Sequence, residues 1–187
     1  MLIGLHGRKR AGKDTVADFL TQRHRYARYA LAGPIRDGLI AMLGTLGVDR
    51  AALDGADKEL PLPVLGVSSR HLQQTLGTEW GRQLVHPDVW LMIARARVTQ
   101  IRGYTSTIVI TDVRFENEAA WMRMMGGAVW HIRRPRDENV VDLHKSEAGV
   151  AIVPGIDSIL DNSAGLEQLA DEVKRALAGE CVFGGAA

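Results

Sequence analysis

Apolar residues recur along the chain in short blocks that predict alternating strands and helices. Residues 1–5 have the pattern of an apolar strand, and "TIVITDVRF" contains consecutive branched apolar residues, as in a strand buried on both faces. Similar blocks predict strands at "YARYALA", "AVWHIRRP" and "SILDN". Because helical segments separate these strands, we predict an α/β fold with three layers, in which helices cover both faces of a central parallel sheet.

Residues typical of helix N-termini, as well as apolar periodicity, indicate the helical segments. Pro34 is suited to the first turn of one helix, and Ser68 is a candidate N-cap for another. Residues 47–67 are rich in Gly, Pro and Asp and therefore predict a loop or a weakly ordered insertion. In the helix that follows "TDVRF", three side chains are expected to face the core, namely Trp121, Met124 and Met125.

The segment between the first strand and the first helix, "GRKRAGK" (residues 7–13), matches the pattern G-x-x-x-x-G-K. Its glycines allow backbone conformations that turn several N–H groups towards one point. The start of the helix adds partial positive charge there, and Lys13 can reach the outer phosphates of a nucleotide. The sequence therefore predicts a phosphate-binding loop, although a basic turn with two glycines is the simpler alternative.

Asp14 follows the lysine, at the position where such loops usually carry Ser or Thr. A carboxylate is a good Mg²⁺ ligand, directly or through water, and Thr15 supplies a hydroxyl at the next position. Either side chain can therefore serve a metal ion. The alternative is that Asp14 only interacts favourably with the helix dipole.

Asp112 and Arg114, in "TDVRFENE", follow the clearest buried strand. In open parallel sheets ligands bind at the carboxyl ends of the strands, so we expect both residues near the phosphate loop. There Asp112 could position Mg²⁺ or accept a proton, and Arg114 could hold a phosphate. A strand-end ion pair with a neighbouring helix is the alternative.

Two further segments carry candidate ligands for a second phosphate and a base. In "SSRHLQQTLGTEWGRQLVHPDVW", arginines can clamp a phosphate, amides and an acid can contact a base edge, and a Trp can stack on the base. The candidates are Arg70, Gln74, Glu79, Arg82 and Trp90. Core packing of Trp90 and pairing of Glu79 with Arg82 are the alternatives. Arg133 and Arg134 begin a polar stretch, residues 133–147, which we predict to be a lid over a transferred phosphoryl group.

Composition and charge narrow the class of protein. The 187-residue chain has 23 Lys plus Arg against 22 Asp plus Glu, which argues against a broad nucleic-acid-binding surface. A single Cys and six His without paired metal spacing argue against a disulfide framework or a zinc cluster. The sequence contains neither a signal-peptide pattern nor an apolar run of membrane-spanning length. We therefore expect a soluble cytoplasmic protein.

Four segments together resemble the deoxynucleoside monophosphate kinases of tailed phages, which are P-loop kinases. They are "GRKRAGKDTVADFL", "RHLQQTLGTEWGR" with "DVW" soon after, "TDVRFENEA", and "HKSE" followed by "LDNSAGLEQL". These segments span most of the chain in the order found in the family, and G-K-D is the usual form of the loop there. Residues 47–67 are the part that resembles the family least.

The resemblance implies a single P-loop kinase domain, residues 1–187, that transfers the ATP γ-phosphate to a deoxynucleoside 5′-monophosphate and yields ADP and a diphosphate. The monophosphate region would cover residues 34–102, and Mg²⁺ would accompany ATP. The implied ATP contacts are Gly7, Arg10, Ala11, Gly12, Lys13, Asp14, Thr15 and Asn162. The implied metal ligands are Asp14 and Asp112. The implied catalytic residues are Lys13, Asp112, Arg114, Arg133 and Arg134. The residues expected to face the monophosphate are Arg70, Gln74, Glu79, Arg82, Trp90 and Arg114. The location would be the host cytoplasm for a phage-encoded chain, and the Trp and Met content of the middle helices would suit a homodimer.

Other classes share parts of this pattern. Phosphomevalonate kinase has a similar loop and dephospho-coenzyme A kinase a similar general plan, but neither accounts for "LQQTLGTEWGR" as well. A P-loop ATPase switch and a nucleic-acid end kinase are further alternatives, and the latter would bind DNA with a steep dependence on salt. Substrate-dependent release of ADP separates all of these.

Overall fold

The computed structural model describes residues 1–54, 58–134 and 149–179. Within these residues, five parallel strands form one sheet in the order β2-β3-β1-β4-β5. The strands are β1 (Leu2–His6), β2 (Ala27–Tyr29), β3 (Ile108–Ile110), β4 (Ala128–Arg133) and β5 (Ser158–Asp161). Each of the strands predicted from the hydrophobic pattern is present, and the predicted parallel sheet is confirmed.

Helices connect β1 to β2, β2 to β3 and β3 to β4, as expected for parallel crossovers. They are α1 (Lys13–His24), α2 (Gly33–Leu43), α3 (Arg50–Asp54), α4 (Ser69–Gln74), α5 (Val89–Arg102), α6 (Glu116–Met124) and α7 (Leu166–Leu177). A 3₁₀-helix (Gly44–Leu46) and a π-helix (Thr75–Val85) complete the described elements. None of the described helices is long and apolar enough to cross a membrane.

The chain forms two compact units. The first consists of Met1–Ala30 and Val98–Ala187, and it contains the sheet. Ile3 and Leu5 on β1 pack with residues of α1 and α7 on one face of the sheet. On the other face, α6 packs so closely that a Cβ at Gly4 would lie 2.5 Å from the sulfur of Met122. Successive residues of a strand point to opposite faces, so this alternation along β1 produces the layers predicted from the sequence.

The second unit, Leu31–Arg97, is helical and has its own apolar cluster. Leu39, Val48 and Leu53 form its buried centre, and Leu62 and Leu65 pack against it. Of the two alternatives predicted for residues 47–67, a loop or a weakly ordered insertion, the loop is wrong for Arg50–Asp54, which form α3. The short helix was missed because its five residues lack a full period of apolar positions.

The prediction of core positions in α6 is confirmed for Trp121 and wrong for two methionines. Trp121 is 3% exposed, whereas Met124 is 74% and Met125 38% exposed. The buried methionine is Met122, which lies against Gly4. Met124 is the last residue of α6 and Met125 its C-cap, and the chain turns at Gly126 with a φ of 72°, so both methionines lie at the exposed end of the helix.

Candidate phosphate-binding site

The loop between β1 and α1 has a backbone shape that requires glycine at both ends of its motif. Gly7 has a φ of 153° and Gly12 a φ of 109°. A Cβ at Gly7 would lie 2.6 Å from the carbonyl oxygen of Ile132, and one at Gly12 would lie 2.6 Å from Nδ2 of Asn162. Both the backbone conformation and the lack of space therefore exclude larger residues, which explains the spacing of the motif.

The side chains of Lys13 and Asn162 hold the loop. Nζ of Lys13 donates to the carbonyl oxygens of Gly7 at 2.5 Å and Arg8 at 2.7 Å. Nδ2 of Asn162, just after β5, donates to the carbonyl oxygen of Ala11 at 2.8 Å. These hydrogen bonds use loop carbonyl groups as acceptors, which leaves the arrangement of backbone N–H groups at the start of α1 undisturbed.

A pocket of about 320 Å³ lies at the start of α1. It is lined by Arg10, Gly12, Lys13, Asp14, Thr15, Arg134, Asn162, Gly165 and Leu166. The structure thus brings together seven residues that the sequence placed at an ATP site or a lid. A concave site with a helix N-terminus, a lysine and two arginines is suited to a polyphosphate. Gly165 and Leu166 were missed by sequence reasoning, and the glycine before α7 was the only signal for them.

Asp14 and Thr15 are the oxygen donors of this pocket that fit a metal ion. The Asp14 carboxylate is 86% exposed, and one of its oxygens accepts a hydrogen bond of 2.6 Å from Arg28 on β2. Among the described residues, no group of three or more His, Cys, Asp or Glu is placed to hold a metal by itself. A Mg²⁺ ion that binds with a nucleotide needs only one or two protein ligands, because phosphate oxygens and water supply the others.

The parallel register explains why Asp112 lies at the edge of the sheet that carries the loop. Gly4 pairs with Ile110, and the N–H of Val113 donates to the carbonyl oxygen of Leu5 at 3.1 Å. Asp112 is therefore level with the last residue of β1, and it is partly exposed. Arg114 follows with an exposed side chain, and its backbone N–H donates to Glu118.

The predicted lid begins at the carboxyl end of β4. Arg133 and Arg134 are described and exposed, and residues 135–147 of the predicted lid lie outside the described residues. Nη1 of Arg134 lies 3.5 Å from the carbonyl oxygen of Arg10. The carbonyl oxygen of Arg133 accepts a hydrogen bond from the backbone N–H of Asn162. Of the two arginines, Arg134 lines the pocket.

All the candidate monophosphate contacts except Arg114 lie in the second unit. Arg70 pairs with Glu59 at 3.0 Å, and Nη1 of Arg82 donates to the carbonyl oxygen of Pro87. Glu79 is exposed and Gln74 partly exposed. Trp90 is only 5% exposed, and its Nε1 donates to the carbonyl oxygen of Gly77 at 2.7 Å. This placement supports the core role of Trp90, which the sequence had left as an alternative.

A buried ionic group supports the strands that end at the pocket, and the sequence carried no signal for it. The carboxylate of Asp157, just before β5, is fully buried and accepts hydrogen bonds from Arg123 and from the N–H groups of Val129 and Val153. Burial raises the pKa of Asp157, but these hydrogen bonds outweigh burial and lower its pKa below the usual value. His131 on β4 lies beside it, with Nε2 3.7 Å from Oδ2 of Asp157.

The central strand β1 of the parallel sheet leads through a G-x-x-x-x-G-K loop into a helix, and arginines lie at the carboxyl end of the neighbouring strand β4. This combination defines a P-loop kinase fold. Comparison with known proteins identifies the kind of kinase. The family model for deoxynucleotide monophosphate kinases matches residues 1–60 and 65–173. The chain belongs to this family, as the resemblance in the sequence indicated.

Individual relatives agree with this assignment. The deoxynucleotide monophosphate kinase of Enterobacteria phage T4 is 26% identical, and the match covers 94% of this chain and 98% of that protein. The deoxynucleoside-5′-monophosphate kinase of Escherichia phage T5 is 29% identical over 66% of this chain and 72% of that protein. Among solved structures, TT1252 from Thermus thermophilus has a TM-score of 0.52 and 20% identity, with 95% of this chain and 96% of that chain covered. The last comparison supports the fold.

Proposed function

We propose that this enzyme transfers the γ-phosphate of ATP to a deoxynucleoside 5′-monophosphate and releases ADP and a deoxynucleoside diphosphate. The observation that carries the proposal is a pocket in which the G-K-D loop, Arg134 and Asn162 meet. Its cationic side chains and helix N-terminus match the charge of a nucleotide polyphosphate. Membership of the kinase family supplies the class of acceptor.

The proposed chemistry needs positioning and charge rather than an activated nucleophile. The attacking atom is an oxygen of the acceptor phosphate, which is already anionic. Lys13 and the loop N–H groups would hold the β- and γ-phosphates, and Arg134 would stabilise charge on the group in transfer. We place Asn162 at the edge of the ATP site, where it also holds the loop through Ala11.

The proposed metal is Mg²⁺, carried into the site with ATP. It would neutralise charge on the β- and γ-phosphates. The Thr15 hydroxyl and the Asp14 carboxylate are the proposed protein donors, directly or through water. Asp112, at the same edge of the sheet, is the second proposed acidic contact to the metal.

The proposed acceptor contacts are two arginines, a glutamine and a glutamate of the second unit, together with Arg114 of the first. We assign Arg70, Gln74, Glu79, Arg82 and Arg114 to the monophosphate, and we keep Arg133 with Arg134 in the proposed lid. The four residues of the second unit lie within the proposed monophosphate region, residues 34–102, and we propose that the whole enzyme is one kinase domain. The partners would be nucleotides in the cytoplasm, that of a host cell for a phage-encoded chain. A homodimer and the lack of a stable nucleic-acid partner remain predictions.

The test is ADP production from ATP and Mg²⁺ with a panel of deoxy- and ribonucleoside monophosphates. We expect turnover with one or a few deoxynucleotides, and a loss of at least about a hundredfold in Lys13→Ala. Lys174→Ala is the matched control, because Lys174 is an exposed lysine on α7 that pairs with Asp171. Its activity should equal that of the wild type.

The outcome also separates the alternatives. ATP binding without turnover of any monophosphate would refute the nucleotide-kinase proposal and direct the search to phosphomevalonate, dephospho-coenzyme A and polynucleotide ends. ADP release that does not depend on any acceptor would indicate an ATPase switch. Activity of Lys13→Ala equal to that of Lys174→Ala would remove the loop lysine from the mechanism.

A further inference from the structure

The segment that carries the proposed monophosphate contacts is wound as a π-helix. α4 runs directly into Thr75–Val85, which is 11 residues long. The last bond of this winding runs from the N–H of His86 to the carbonyl oxygen of Gly81 at 2.9 Å, which spans five residues. π-helices are rare, and most are single turns inside α-helices, often at functional sites. A stretch of this length needs specific support from its surroundings.

Trp90, near the start of α5, supplies this support. Its Nε1 donates to the carbonyl oxygen of Gly77 inside the π-helix at 2.7 Å. Its ring fills the space beside Gly81, where a Cβ would lie 2.6 Å from Cζ2 and 2.7 Å from Nε1 of the indole. At the other glycine, Gly77, a Cβ would lie 2.9 Å from Cδ1 of Ile35. The two glycines therefore let neighbouring side chains approach the backbone of the π-helix.

The turn before Trp90 connects this residue to Arg82, the basic residue near the end of the π-helix. Arg82 directly follows Gly81, and its Nη1 donates to the carbonyl oxygen of Pro87, in the turn that leads into α5. That turn is closed by a hydrogen bond from the N–H of Val89 to the carbonyl oxygen of His86. The direction of the Arg82 side chain thus depends on the turn formed by residues 86–89, which leads directly to Trp90.

We propose that Trp90 is a positioning residue for the phosphate acceptor. It acts by holding residues 75–85 in the π winding, without touching the nucleotide. Because i→i+5 bonds place about one more residue in each turn than α-helical bonds do, a return to α winding would rotate Glu79 and Arg82 relative to Gln74. The expected effect on catalysis rests on the proposed function. The expected effect on the winding of residues 75–85 rests only on the contacts of Trp90.

The first variant is Trp90→Phe, which keeps an aromatic ring but removes the N–H donor to Gly77. Loss of one hydrogen bond to the segment should raise KM for the deoxynucleoside monophosphate by up to about tenfold. KM for ATP should stay at the wild-type value. Trp121→Phe is the matched control, since Trp121 is an equally buried tryptophan on α6 of the first unit. It should leave the monophosphate KM unchanged.

The second variant is Gly81→Ala, whose methyl group would meet the Trp90 ring. In the wild-type background it should also raise the monophosphate KM selectively. In the Trp90→Phe background the smaller ring leaves more room, so the effect of Gly81→Ala should shrink. Such non-additivity is expected for residues in direct contact. Additive effects on KM would show that the two residues act separately and would overturn the inference.

Amide hydrogen exchange provides a readout that does not depend on catalysis. In Trp90→Phe, the amides of residues 77–86 should exchange faster than in Trp121→Phe, while those of α1 stay protected. If the wild type phosphorylates no monophosphate, the proposed function fails, and exchange alone decides whether Trp90 holds the winding. If the wild type is active and Trp90→Phe raises both KM values equally or neither, the positioning role is wrong.

Discussion

Buried His131 should make the folded protein lose stability between neutral and mildly acid pH. The residue lies on β4 with only 5% of its surface exposed, and its ring packs edge-on against His6 at 5.3 Å between centroids. Burial, with repulsion by His6 as the next cause, lowers the pKa of His131 from 6.5 to about 4. The neighbouring Asp157 acts in the opposite direction, but its carboxylate is already hydrogen-bonded to Arg123.

The sign and size of the effect follow from the two pKa values of His131. Between pH 6.5 and about 4 the unfolded chain binds a proton at this position and the folded protein does not. Protons therefore favour unfolding, and stability falls as the pH falls through this window. From pH 7 to pH 5 the loss from His131 alone is about 2 kcal/mol. For a chain of this size that corresponds to a Tm lower by roughly 4–8 °C.

The assay compares the free energy of unfolding in urea at pH 7 and pH 5 for the wild type and His131→Gln. Glutamine does not titrate, so the variant should lose about 2 kcal/mol less than the wild type over this interval, whatever its stability at pH 7. His71→Gln is the control, because His71 is exposed. It should keep the wild-type loss. An equal loss in His131→Gln and the wild type would refute the assignment of acid sensitivity to this buried imidazole.

Two further substitutions test the loop and the buried ionic group. Gly12→Ala should weaken ATP binding at least about tenfold by calorimetry, because the residue needs a positive φ and its Cβ would meet Asn162; unchanged affinity would contradict the role of the loop shape. Asp157→Asn should destabilise the protein by about 3–5 kcal/mol and lower Tm by roughly 10 °C, since it leaves the Arg123 guanidinium without its buried carboxylate. Asp171→Asn, at an exposed acid, should leave Tm unchanged in the same melts, and equal melting of the two variants would argue against the buried pair.

The proximity of Arg134 and Asn162 to the phosphate loop could be predicted from local sequence patterns. Both residues follow apolar runs that the sequence identifies as strands, and parallel strands present their carboxyl ends at one edge of the sheet. The helices between the earlier strands predicted a parallel sheet, and the sheet of the structure includes β4 and β5 in that direction. The pocket therefore needed no prediction of individual side-chain contacts.

The winding of residues 75–85 could not be predicted in this way. The sequence has Ser68 as a helix start, which the structure confirms through a hydrogen bond from the N–H of His71 to the Ser68 hydroxyl. The π-helix beyond it depends on Trp90, which approaches Gly77 and Gly81 from another helix. Apolar periodicity does not show such a contact, because the same indole could equally lie in the core or stack on a base.

By itself, the sequence determined the succession of strands and helices, the phosphate loop and the family. These features depend on residues that are close together in the chain, such as glycines with the required backbone freedom next to an apolar strand. The tertiary structure alone decided the strand order, the π winding around Trp90 and the burial of Asp157 with Arg123 and His131. Each of these depends on contacts between distant segments. Whether they are stable depends on apolar burial and on the balance between desolvation and hydrogen bonding, which arises only once the chain has folded.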